Sequence, residues 1–272
     1  MVRPLRVLPP IWRKCWLIVG GLPCKMRSYD LSFISNLDLY NHVQETVKKY
    51  RFQVDLAAFN KNLVDPIKLT FDAKIYHQTT LEVIEHEVVR QVDKSNTNHI
   101  GYFHQNIFRY IGTGWIVPKT GYDIVNAKLA YYVEMKNKHN TMNSSSSQKT
   151  YMRMQNTLLS KPKATCLLVE VIAPKSQNIP WQMSLDGKSI VNKKIRRVSI
   201  DKFYELATGN RLAFMQLCQA IPKVLDDVVS HNNFSAESNS VVSELHKIDP
   251  NLLKSLYLLS FKQYEGFENL NV

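Results

Sequence analysis

The 272-residue sequence predicts an α/β fold, a mixed β-sheet flanked by helices. Three stretches predict it. A β-hairpin spans Thr120 to Lys138, with a short turn around Asn126-Ala127-Lys128. The near-continuous apolar run Ala164 to Ile172 has the make-up of a central buried strand. Between them a helical pattern carries Tyr151, Met154 and Leu158, so the chain reads strand, helix, strand, a right-handed crossover that sets those two strands parallel.

Taken in order, residues 1–25 stand apart. They hold four of the eleven prolines (Pro4, Pro9, Pro10, Pro23) and the bases Arg3, Arg6, Arg13, Lys14 and Lys25, with no acid. They read as a non-native or disordered extension, with Met26 the expected natural start. Residues 26–230 form the expected main domain, and 231–272 a linker and helical C-terminal tail. From Met26 to Phe59 the pattern is helical, with Leu37, Leu39, Tyr40, Val43 and Val47 near the 3.6-residue period. Asn60 to Ile75, interrupted by Pro66, reads as a connection. Thr80 caps a helix to about Val92, with Leu81, Ile84, Val88 and Val92 on one face. Ser95 to His99 reads as a polar loop, and a helix with Phe103, Ile107, Phe108 and Ile111 follows.

Beyond the apolar strand, Pro174 to Asn192 contains Trp181 and a turn at Asp186-Gly187. Ser199 caps a helix from Ile200 to Ala207 that ends near Gly209. A further helix with Leu212, Met215 and Leu217 is expected to stop before Pro222. Ser230 to Ser240 is rich in Ser and Asn, and Glu244 to Lys262 reads as one amphipathic helix.

Composition narrows the function. A formal net charge of +12 suits a protein that meets a polyanion. The four cysteines lack metal-site spacing and fit a reduced, cytoplasmic protein. No apolar run reaches the roughly 18–20 residues of a membrane span. There is no P-loop or dinucleotide glycine motif, which argues against ATP-driven chemistry in this chain.

The hairpin carries the chemistry. Alternation puts Glu134 and Lys136 on one face of its second arm and Val133 and Met135 on the other, toward the core. The turn brings Asp123 of the first arm near Glu134. Two carboxylates can hold Mg²⁺, which retains several waters of its own, against a phosphodiester. Lys136 can orient the attacking water or stabilise developing charge. A surface hairpin with a cross-strand ion pair, worth ~0.2–1 kcal/mol, fits the same spacing.

Asp123 with Glu134-Met135-Lys136 resembles the PD-(D/E)xK nuclease signature. The stretches Asp93 to Phe108, Val133 to Arg153 and Ile195 to Tyr204 resemble a family of Type II restriction endonucleases associated with GGNCC-type sites. The resemblance covers roughly Met26 to Val229. One departure is at the proline that often precedes the first aspartate: Gly121-Tyr122 stand there, with Pro118 upstream. The resemblance implies a restriction-endonuclease-like α/β/α core and Mg²⁺-dependent hydrolysis of double-stranded DNA at a short, near-palindromic, G/C-rich site. It implies Asp123 and Glu134 as metal ligands, Lys136 as their catalytic neighbour, and Glu87, a helical glutamate before the hairpin, as a further metal candidate. Candidate DNA contacts are Lys138, Asn140, Lys149 and Arg153, with Arg196 and Arg197 from the basic run Lys193 to Arg197. A homodimer matches a palindromic site, and a cognate DNA methyltransferase would protect the host genome. Two other readings are a structure-selective repair or recombination nuclease of the same fold and a catalytically inactive DNA-binding module.

Overall fold

The computed structural model describes residues 16–19, 22–25, 27–185, 187–232, 239–261, 263, 267 and 270–272. Residues 1–15 of the expected extension lie outside them, while Trp16–Val19 (β1) and Leu22–Lys25 (β2) pair as a separate antiparallel ribbon. The chain then enters helices Asn36–Lys48 (α1), Leu56–Asn60 (α2), Pro66–Ile75 (α3) and Thr80–Asn106 (α4). Two of these revise the sequence reading. The connection expected over residues 60–75 contains α3, because Pro66 takes the first helical position, where its missing N–H costs nothing. Asp65 caps it by accepting from the N–H groups of Ile67 and Lys68.

The polar loop expected at Ser95 to His99 is instead part of α4, an uninterrupted 27-residue helix. Its start is a capping box between Thr79 and Glu82. Nothing in the run is a proline, and its side chains are half-buried or exposed, so the helix continues between two apolar anchors. Ile84 and Val88 anchor one end, and Phe103 and Ile107 the other. Asn96 adds a tie, accepting from the N–H of Arg51 at 2.8 Å and donating to its carbonyl.

Strands Trp115–Ile116 (β3), Ile124–Asn126 (β4) and Tyr131–Lys138 (β5) follow, then Ser144–Ser160 (α5) and Thr165–Ile172 (β6). Asn178–Leu185 (β7) and Lys188–Ser199 (β8) complete the sheet. Asp186, half of the expected turn between them, lies outside the described residues. The six strands lie in the order β3-β4-β5-β6-β8-β7, with β5, β6 and β8 parallel and the other pairs antiparallel. It is the mixed sheet the sequence predicts.

Ile200–Thr208 (α6), Ala213–Ser230 (α7), Val241–Leu245 (α8) and Leu252–Phe261 (α9) close the chain. Gly209 ends α6 at φ 73°, a left-handed C-cap that suits glycine. Helix α7 does not stop at Pro222 but passes through it. Its face of Ala213, Leu217, Ala220, Val224 and Val228 is fully packed, and that burial outweighs the lost hydrogen bond. The single helix expected over residues 244–262 is broken into α8 and α9 by Asp249-Pro250.

Two layers of helix enclose the sheet. Helices α1, α6 and α7 and the end of α4 pack on the face carrying Val133, Met135, Leu167, Val169 and Val198. Helix α5 covers the other face, where Tyr151 and Met154 meet Cys166, Leu168, Trp181 and Ile195. A third cluster joins α2, α3 and the first half of α4 to α8 and α9, so the C-terminal tail is a packing element of that helical lobe. Among the described residues, no helix is long and apolar enough to cross a membrane.

Candidate active site

The α5 face of the sheet changes character along the strands. Near the strand starts it is apolar, with Cys166, Leu168 and Ile195 under α5. Toward the strand ends the same alternation presents Glu134 and Lys136 on β5, Glu170 on β6 and Arg197 on β8. Val133 and Met135, pointing the other way, are buried in the main core.

Asp123 immediately precedes β4, whose first residue Ile124 pairs with Val133, so the aspartate stands beside Glu134. The hairpin ladder has ended there. The Asp123 carboxylate takes its place, accepting the N–H of Met135 at 2.8 Å. Burial pushes the Asp123 pKa above the usual aspartate range; the Met135 N–H opposes this, and the neighbouring Glu134 charge adds to it. Glu134 is buried, and each of its oxygens has a cationic partner. Lys136 Nζ donates to Oε1 at 2.8 Å, and Arg153 Nη2 donates to Oε2. Arg153 also donates to the Gly121 carbonyl at 3.2 Å and lies over the Tyr122 ring, 4.7 Å from its centroid. A cleft of about 460 Å³ opens beside Glu134, lined by Lys149, Thr150, Met152, Arg153 and Asn156 of α5.

One strand away, Glu170 is 1% exposed and accepts from His139 Nδ1 and from Arg197 Nε at 2.8 Å. Arg197 also donates to Asn140 Oδ1 at 2.9 Å. Sequence reading missed Glu170 and His139. The available signal was one carboxylate inside the apolar run Leu167-Leu-Val-Glu-Val-Ile172, which demands a partner that the sequence does not identify.

The candidate residues therefore divide. Asp123, Glu134 and Lys136 come together. Arg153, a candidate DNA contact, is paired with Glu134. Lys138 and Lys149 are exposed, at the end of β5 and on the cleft wall. Arg196 and Arg197 point to opposite sheet faces, as strand alternation requires, and Arg196 is spent on the Asn178 side chain and carbonyl, both at 2.5 Å. Glu87 is not brought to the pair. It is buried on α4 with both oxygens held by Arg90 and one shared with Gln91. Among the described residues, no three His, Cys, Asp or Glu side chains are gathered to hold a metal.

A divalent cation nevertheless suits the Asp123–Glu134 pair. Both are hard oxygen donors, and two carboxylates suffice for an ion that keeps several waters. The Glu134 charge, which adds to the effect of burial on the Asp123 pKa, would be offset by a bound cation.

Comparison with known proteins places the chain among restriction endonucleases. The family model described as Eco47II restriction endonuclease matches residues 31–230. The chain is 33% identical over 210 residues to the Type II restriction enzyme Sau96I of Staphylococcus aureus, covering 72% of this chain and 80% of that protein. It is 30% identical over 217 residues to the Type II restriction enzyme Eco47II of Escherichia coli, covering 74% and 88%.

Proposed function

The chain belongs to the Eco47II restriction endonuclease family, a group of Type II site-specific deoxyribonucleases, and from that premise we propose that Asp123, Glu134 and Lys136 form its cleavage site. The observation that carries this reading is the convergence of the two carboxylates, with Lys136 on one of them, beside an open cleft. The substrate is double-stranded DNA, and the reaction is hydrolysis of a phosphodiester bond. Type II restriction endonucleases generally use divalent metal ions, and Mg²⁺ is the ion this oxygen donor set fits. Bound there, Mg²⁺ would acidify a coordinated water and offset phosphate charge.

Asp123 and Glu134 would hold the ion. Lys136 aligns the attacking water and, as an ammonium group, stabilises charge on the phosphate oxygens. Arg153 must exchange its contact with Glu134 for one with DNA phosphate as the cleft fills, which couples substrate entry to freeing a ligand oxygen. Exposed Lys138 and Lys149 add charge along the DNA path. A GGNCC-type recognition site follows from the family resemblance, and a two-fold site calls for a homodimer in which each subunit cuts one strand. A host would need a cognate methyltransferase to shield its own sites.

Lys136→Ala tests the assignment. The expected result is loss of cleavage of site-bearing DNA with binding retained in gel-shift titrations. Cutting at the wild-type rate would remove Lys136 from the mechanism.

A further inference from the structure

Glu170 is an anion in a place where the fold does not need one. It lies in register with Lys136 on the neighbouring parallel strand, hence on the same sheet face at a spacing of about 4.8 Å. A buried carboxylate is costly unless paired, and an apolar residue would complete β6 without that cost. Glu170 instead grips His139 Nδ1 at 3.0 and 2.9 Å and Arg197 through Nε at 2.8 Å and Nη2 at 2.6 Å. His139 is itself anchored, its N–H donating to the Ile172 carbonyl at 2.9 Å. His139 Nε2 and Arg197 Nη1 have no hydrogen-bond partner among the described residues. Their side chains are 29% and 19% exposed.

We propose that Glu170 is a positioning residue that fixes His139 and Arg197 as a two-pronged clamp on a DNA phosphate close to the scissile one. The clamp rests on the preceding reading only for which face meets DNA. Its ligand is a phosphate rather than a base edge because Arg197 has already given Nε and Nη2 to Glu170 and Asn140. A guanine O6/N7 pair needs two parallel donors, and one remains. With Nδ1 held on Glu170, the His139 ring is fixed in orientation and Nε2 is its remaining nitrogen.

The sign of one substitution tests the clamp. Glu170→Gln deletes a negative charge near a polyanion, so a role of charge alone predicts tighter DNA binding. Positioning predicts the reverse: affinity falls about tenfold, as for a lost charge-assisted contact. The slope of log affinity against log salt becomes shallower by about 0.9, one phosphate's worth. The measurement is a titration of a labelled GGNCC duplex in EDTA over a range of KCl, with folding checked by thermal melting. Arg197→Ala should give the same loss, and the double variant no further loss. If Glu170→Gln fails to fold, His139→Ala on its half-exposed turn is read instead, with the same expected fall and shallower slope. Unchanged or tighter binding, or an unchanged slope, overturns the clamp. Binding in EDTA does not depend on cleavage, so normal cutting by Lys136→Ala would sink the site assignment and leave this measurement standing.

Discussion

Glu134 and Glu170 lie on adjacent parallel strands, on one face of one sheet, both buried; Lys136 and Arg153 hold the first, Arg197 and His139 the second. They differ in their neighbours. Glu134 has a second carboxylate, Asp123, beside it and a cleft in front. Glu170 has His139 and Arg197 on it and is almost wholly closed from solvent. Two adjacent hard carboxylates beside a cleft suit a metal ion. A lone carboxylate closed from solvent and held by its neighbours suits an anchor. Residue type and sheet face are the same, so the neighbouring carboxylate and access separate the proposed metal ligand from the proposed anchor.

Substitution can break that contrast, most strongly at cleavage. Glu134→Gln is expected to slow single-turnover cleavage of a site-bearing plasmid by ~10³-fold or more, through loss of a metal ligand. Glu170→Gln at saturating DNA should stay within about tenfold of wild type, since its effect is on binding. Equal losses would erase the distinction between ligand and anchor.

Stability separates the two clusters next. Arg197→Ala leaves Glu170 buried with His139 as its remaining side-chain partner, and urea unfolding should show a loss of about 3 kcal/mol. Arg153→Ala leaves Lys136 on Glu134 and removes a half-exposed partner, so a loss of about 1 kcal/mol or less is expected. A larger loss from Arg153→Ala would mean that the Glu134 site is the structural one.

Asp123→Asn sharpens the charge argument. The Asp123 pKa is raised in the fold, so the folded chain holds that proton more tightly than the unfolded chain does. Its stabilising contribution is complete below the unfolded aspartate value and is lost as pH rises through the folded value. Asparagine never ionises and can still accept the Met135 N–H through Oδ1. At about pH 7 the metal-free variant should therefore melt above wild type, with the difference closing below about pH 4. A lower melting temperature at neutral pH would show that Asp123 is not under charge strain. The smallest effect is expected at Glu87, the third buried glutamate among the described residues, already satisfied by Arg90 and Gln91. Glu87→Gln should leave the cleavage rate within about twofold, as a site remote from the chemistry does; a large loss would return it to the metal site.

Much of the fold was legible because its signals are local. Alternation along Tyr131–Lys138 placed Glu134 and Lys136 together and Val133 and Met135 in the core. The apolar run at β6, after one helix, gave a parallel neighbour. Errors fell where a local signal was weaker than packing. Pro222 reads as a stop, yet α7 continues because its apolar face is buried on both sides of it. Ser95 to His99 reads as a loop, yet α4 is pinned at both ends by core residues.

By itself the sequence determined the hairpin, the parallel pair, the nuclease family and the three residues that meet at the hairpin's open end. Those depend on periods of 2 and 3.6 residues within single elements, and on motif spacing along one stretch of chain. Only the tertiary structure decided that Arg153 reaches Glu134, that Arg196 and Arg197 part company, and that Glu170 collects His139 and Arg197 from two other segments. Such contacts are set by register between strands and by the packing of α5, and neither leaves a trace in the order of residues along one strand.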